Sequence, residues 1–255
     1  MEQLDWGEGN YARTAEAIAP ASEALVEFAG ISAGQTVLDV ACGTGNAAIA
    51  AAQKGAAVTG VDPAAALVEQ AAARAAELGI DARWIRGGAD ELPVADGAFD
   101  VAMSVFGVIF APDPGAAAAE MVRAVRTGGT VALTSWRPSG PISAVGGIMF
   151  RRLPGSDGPP RNWGDPDWAS ATLAAAGAGE VRIEEAGITF TAASPEAWLD
   201  EQCTNHPVWR WARRQLGEEQ WSEVAAESVA ALTEGNEVPD AFRTTSRYLL
   251  VAASR

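Results

Sequence analysis

The residues best suited to chemistry lie in one short stretch, Val37-Leu38-Asp39-Val40-Ala41-Cys42-Gly43-Thr44-Gly45. An apolar strand here delivers the chain to a tight turn. Its glycines let a ligand approach the backbone, and a helix N-terminus follows. Asp62 comes 19 positions after Gly43, at the end of the next apolar run. A carboxylate there can accept hydrogen bonds from both hydroxyls of a ribose.

Two ligand classes suit this arrangement. Gly43-Thr44-Gly45-Asn46-Ala47-Ala48 satisfies G-x-G-x-x-A, the dinucleotide pattern. Asp39 argues the other way. A carboxylate beside the turn opposes a pyrophosphate but suits an ammonium and a nearby sulfonium. The tyrosine–lysine pair of a hydride-transfer site is also missing, because neither Tyr11 nor Tyr248 has a lysine four positions on. The residues therefore favour S-adenosylmethionine over NAD(P), with an oxidoreductase as the rival class.

Alternating elements must position this turn. Strands are expected at Gln35–Val40, Ala57–Val61, Ala82–Arg86, Phe99–Val105, Thr130–Trp136, Val181–Thr191 and Thr244–Ala253. Helices are expected at Asn46–Lys54, from Asp62-Pro63 to about Leu78, and at Pro114–Arg126. Two more start at Asp165-Pro166 and Ser194-Pro195, each a capping side chain followed by proline. Pro20 is expected to kink or divide a helical arm near the start. Residues 137–165 are rich in Pro, Gly and Trp and read as a long irregular lid or pocket wall. Strands alternating with helices imply right-handed crossovers and a parallel sheet. One domain is expected: an arm over 1–34, a cofactor-binding core over 35–136, and a substrate cap with the last two strands over 137–255.

Four segments in this order resemble the core of a class I S-adenosylmethionine-dependent methyltransferase, closest to the ubiquinone/menaquinone-biosynthesis type. They are LDVACGTG (38–45), VTGVDPA (58–64), GGADELPVADGAFDVAMSVFGV (87–108) and RAVRTGGTVALTSW (123–136). The resemblance implies an α/β, Rossmann-like, doubly wound sheet of seven strands, order 3-2-1-4-5-7-6, with an antiparallel last strand. It implies S-adenosylmethionine as cofactor and S-adenosylhomocysteine as product. Asp39, Ala41, Gly43 and Gly45 would hold the methionine portion, with Ser104 nearby. Asp62 and Pro63 would lie at the ribose, and Ala89 and Asp90 at the adenine. Tyr11 and Arg13 would close over the cofactor carboxylate; the alternative for Arg13 is a solvated helix residue. The family commonly carries an acid where this chain has Gly88, so Asp90 is the compensating candidate.

For the acceptor, Trp6, Phe106, Trp136 and Trp163 are candidate pocket-rim aromatics, suited to a small apolar or aromatic molecule. His206, the sole histidine, is the candidate general base. A phenol or alcohol acceptor would need such a base. The alternative for His206 is a packed or surface residue at a helix start. A second functional reading is a protein that binds the cofactor without methyl transfer, a cyclase, isomerase or binding module.

Composition excludes other classes. A net charge of −15 repels phosphate backbones and anionic bilayers, so neither nucleic acid nor a membrane surface is an expected partner. Trp209-Arg210-Trp211-Ala212-Arg213-Arg214 is accordingly read as an amphipathic helix. Two cysteines and one histidine leave no metal cluster, and Asp96 and Asp100 read as turn residues. Glu2 and Asp5 leave no secretory n-region. A cytoplasmic protein with a small-molecule substrate is the expectation, with oligomeric state open.

Overall fold

The structure is a computed structural model, and it describes residues 4–153 and 162–255. Helix α1 (Tyr11–Phe28) precedes β1 (Thr36–Val40), α2 (Asn46–Gln53), β2 (Ala57–Asp62), α3 (Ala65–Glu77) and β3 (Ala82–Arg86). Then come β4 (Phe99–Val105), a short 3-10 turn (Val108–Phe110), α4 (Pro114–Ala124) and β5 (Val125–Trp136). The remainder is α5 (Gly140–Phe150), α6 (Pro166–Ala175), β6 (Val181–Ala192), α7 (Pro195–Asn205), α8 (Pro207–Glu234) and β7 (Phe242–Ser254). The seven strands form one sheet in the order β3-β2-β1-β4-β5-β7-β6. Strands β1 to β5 pair in parallel, and β7 runs antiparallel to β5. This is the expected doubly wound sheet.

The chain divides into two compact units. The larger comprises Ile18–Trp136, Arg161–Ala186 and Tyr248–Arg255. Its core joins Leu38 and Val40 of β1, Met121 of α4, Leu133 of β5 and Leu173 of α6. These strands are buried on both faces, hence their nearly unbroken apolar runs. The smaller unit comprises Met1–Ala17, Arg137–Pro160 and Gly187–Arg247. Its core joins Met149 of α5, Trp198 of α7, and Trp209, Trp221 and Leu232 of α8. The chain passes between the two units several times.

Local differences have physical causes. Part of the expected irregular segment is α5, although it contains Gly146 and Gly147. Burial of Val145, Ile148 and Met149 outweighs the weak helix propensity of glycine. Residues 154–161 of that segment lie outside the described residues. Pro20 falls inside α1 without dividing it. Asp62-Pro63 does not open α3; the N-cap is Ala64, whose N–H donates to Asp62 Oδ1. Strand β5 begins at Val125, five residues early, across a register shift against β4. Among the described residues no helix is long and apolar enough to cross a membrane.

Candidate functional site

In this sheet order, β1 and β4 are neighbours whose connections leave in opposite directions. Ligands of such folds bind outside the carboxyl ends of the strands at this switch point. The backbone is strained there. Ala41, just past β1, has φ 55°, and Phe106, just past β4, has φ 54°. They are the only non-glycine residues with positive φ among the described residues. Such outliers each cost on the order of 1–3 kcal/mol and cluster at functional sites. A Cβ on Gly107 would lie 2.6 Å from the Ala41 Cβ, so the two strand ends touch.

The turn after β1 alternates in hand. Ala41, Gly43 and Gly45 have positive φ, while Cys42 and Thr44 do not. The N–H groups of this turn are taken up inside the fold: Cys42 N–H donates to Val61 O and Gly45 N–H to Cys42 O. Two carboxylates flank the turn. Asp39 is 1% exposed and accepts from Ala48 N–H, in the first turn of α2, at 2.9 Å. Asp62 accepts from Gly43 N–H at Oδ2 and Ala64 N–H at Oδ1, both at 2.9 Å. Each carboxylate oxygen has two lone pairs, so Asp62 keeps acceptor capacity for a diol.

Burial, reinforced by Asp62, raises the Asp39 carboxyl to about 7, against the bond from Ala48. Burial raises Asp62 as well. The unfolded chain gives up the Asp39 proton near the ordinary value of 3.8, the folded chain only near 7. Folding stability contributed by this group therefore falls as pH rises from about 4 to about 7. Asp39→Asn is expected to remove that fall. Its melting temperature should gain on the wild type from pH 5 to pH 7.5 in a calorimetric scan. Parallel curves would contradict the assignment.

The other expected cofactor residues in this unit vary in placement. Pro63 is exposed and its carbonyl accepts from Arg86 Nε. Ala89 packs on the core, while Asp90 is exposed. A Cβ on Gly88 would lie 2.8 Å from Asp90 Oδ1, so the Asp90 carboxylate stands where an acid at 88 would start. Ser104 is fully buried, and both its bonds are internal. Its hydroxyl donates to Val40 O at 2.7 Å and accepts from Val108 N–H at 2.9 Å. It ties β1 to the end of β4 and the turn that follows.

Two acceptor candidates come together. The Phe106 and Trp136 rings stack at 3.8 Å between centroids, and Tyr248 meets both edge-on. The stack lies at the carboxyl ends of β4 and β5. Trp163 does not join it. It is 1% exposed, packed edge-on against Trp168 in the core, which corrects its expected place at a rim. A groove of about 810 Å³, lined in part by Phe28, Arg182, Thr130 and Ser254, lies at the opposite, amino end of β5.

The helical unit holds the rest. Trp6 meets Tyr11 and His206 edge-on, at 6.2 and 6.3 Å. Arg13 pairs with Glu201 at 3.2 Å, an exposed bridge of low energy. His206 is the N-cap of α8, and its Nδ1 accepts from Val208 N–H at 3.2 Å. That bond spends the Nδ1 lone pair and leaves the proton on Nε2. Burial also lowers its pKa to about 4. The expected general base is thus corrected to a helix cap. As the sole histidine, His206 should give one ring resonance by NMR, titrating near 4 in the Nε2–H form. A midpoint near 6.5 would restore the base.

Sequence reasoning passed over Arg74 and Trp84. Arg74 Nη1 donates to Thr44 O at 2.5 Å, Thr44 Oγ1 at 3.0 Å and Asn46 Oδ1 at 2.9 Å. Trp84 lies against the turn, because a Cβ on Gly45 or Gly60 would lie 2.7 or 2.5 Å from its ring. The available signal was one arginine in an alanine-rich helix. Asp96 and Asp100 pair with Arg123 and Arg126.

The comparisons agree with this geometry. A family profile described as a methyltransferase domain matches residues 37–129. An uncharacterized protein of Mycobacterium tuberculosis is 45% identical over 136 residues, covering 53% of this chain and 50% of that protein. A ubiquinone/menaquinone biosynthesis C-methyltransferase of Bdellovibrio bacteriovorus is 39% identical over 109 residues, covering 42% of this chain and 46% of that enzyme. This chain thus spans about half the length of the curated relatives it matches. The crystal structure of the YcgJ protein from Bacillus subtilis superposes with a TM-score of 0.65 at 19% identity, covering 92% of this chain and 98% of that one. Residues 37–129 thus match the profile of a methyltransferase domain, and the fold is shared with the YcgJ protein.

Proposed function

We propose that this protein transfers a methyl group from S-adenosylmethionine to a small apolar or aromatic molecule. The observation that carries the reading is the alternating-hand turn between two buried carboxylates at the switch point. Those carboxylates suit a ligand with an ammonium at one end and a ribose diol at the other. They oppose a pyrophosphate, which disfavours NAD(P).

When bound, S-adenosylmethionine supplies a methyl group made electrophilic by its sulfonium. The chain's own residues do the rest. Asp39 accepts from the cofactor ammonium, and Asp62 accepts from the ribose hydroxyls. Ala89 borders the adenine, and Asp90 offers a carboxylate to its amine. Tyr11 and Arg13 are assigned to the cofactor carboxylate on the resemblance alone. Phe106 and Trp136 favour a flat apolar acceptor. Their rings exclude water and fix approach, which supplies much of the acceleration in a displacement of this kind. No side chain is assigned as a general base.

An ammonium beside Asp39 favours its ionised form, so binding releases a proton from a carboxyl titrating at about 7. The test of the function is transfer of an isotope-labelled methyl group to a panel of hydroxylated and aminated aromatic molecules, read by mass. A labelled product supports the proposal. Conversion of an acceptor without mass gain would replace it with cofactor-assisted cyclisation or isomerisation.

A further inference from the structure

The glycine turn has little of its own to hold its shape. Ala41, Gly43 and Gly45 all sit in the left-handed region, and α2 starts at Gly45 without a side-chain cap. Its peptide groups are pinned from outside instead. Cys42 N–H donates to Val61 O at 3.0 Å, and Gly43 N–H donates to Asp62. The Thr44–Gly45 peptide is held at both ends. Its N–H donates to Cys42 O at 2.9 Å, and its carbonyl accepts from Arg74. The same Arg74 nitrogen also reaches Thr44 Oγ1 and Asn46 Oδ1, so one guanidinium spans both sides of the Gly45 hinge.

This placement runs against simple electrostatics. A cation at the N-terminus of a helix faces the positive end of its dipole. Arg74 reaches the N-terminus of α2, where Asn46 is the first helical residue. Three acceptors oppose that cost, the Thr44 carbonyl, the Thr44 hydroxyl and the Asn46 amide oxygen. Arg74 comes from α3, while the turn belongs to β1 and α2, so the contact locks two crossovers together. It approaches from the α3 side, through Thr44, which is 2% exposed.

We propose that Arg74 is a positioning residue for the cofactor. By fixing the Thr44 carbonyl it holds the Thr44–Gly45 peptide, and so the turn, in the shape that receives the methionine end of S-adenosylmethionine. It does not touch the cofactor itself. The proposal rests on the cofactor reading above and adds a residue to it.

The experiment is calorimetric titration of the full chain with S-adenosylhomocysteine, well below the melting temperature, for wild type, Arg74→Met and Arg74→Lys. Arg74→Met removes the charge and all three bonds. Its Kd should rise about tenfold or more, the effect of losing one to two net hydrogen bonds of preorganisation. Arg74→Lys keeps the charge and one donor, and should recover part of the affinity. A merely structural arginine would lower the melting temperature of Arg74→Met while leaving its Kd at the wild-type value, and that result would overturn the proposal. If Arg74→Met does not fold, Arg74→Lys decides. A raised Kd with an intact fold supports the proposal, and an unchanged Kd overturns it. A wild type that binds no S-adenosylhomocysteine would instead overturn the cofactor reading, and this proposal with it.

Discussion

Asp62→Ala is expected to raise the Kd for S-adenosylhomocysteine by roughly 100-fold. The estimate follows from two charge-assisted hydrogen bonds of about 1.5 kcal/mol each to a ribose diol. The side chain has a second duty, since it accepts from Gly43 and Ala64 N–H groups. Alanine therefore also leaves a buried N–H unpaired and should cost about 1–3 kcal/mol of stability. Asp62→Asn separates the two duties. It can keep one backbone bond while losing the charge and half of the acceptor capacity. Titration calorimetry and a thermal melt on both variants read the two effects apart. Wild-type affinity in both would remove Asp62 from the ribose.

Gly60→Ala should disrupt the same region from beneath. Gly60 lies mid-strand in β2, in register with Asp39 on one side and Trp84 on the other. A Cβ there would fall 2.5 Å from the Trp84 ring and 3.0 Å from Cys42 Sγ. The tryptophan is wide and the cysteine belongs to the turn, so both neighbours resist. Overpacking of this kind costs about 1–3 kcal/mol. At roughly 2–4 °C per kcal/mol for a domain of this size, the melting temperature should fall measurably. Trp84→Leu should relieve the clash, so the double variant should be more stable than the two single losses predict. Strict additivity would show that the ring and Gly60 do not press on each other.

Much of this was legible in the sequence. The strands announced themselves as short apolar runs because a parallel sheet is buried on both faces. Asp39 and Asp62 stood out because each closes such a run beside a glycine turn or a proline. Local order carries those signals. The rest depends on distant partners. Helix α5 forms across Gly146 and Gly147 because its apolar side chains are buried against α8. Arg74 reaches a turn about thirty residues away, a contact that no local pattern encodes. His206 resembled a base because it is the sole histidine. Its imidazole was already committed, through a bond to the backbone two residues on. Trp163 resembled a rim residue because its surroundings are rich in glycine and proline, yet it docks into the core. Aromatic residues in such segments serve either end, and only packing decides.

Calorimetry of the wild-type protein decides the cofactor class. Titration with S-adenosylmethionine, S-adenosylhomocysteine and NADH should show binding of both adenosyl ligands and none of NADH. The affinity for S-adenosylmethionine should rise as pH increases from 6 to 7.5, as Asp39 ionises beside the ammonium. Binding of NADH, or no binding of either adenosyl ligand, would contradict the account.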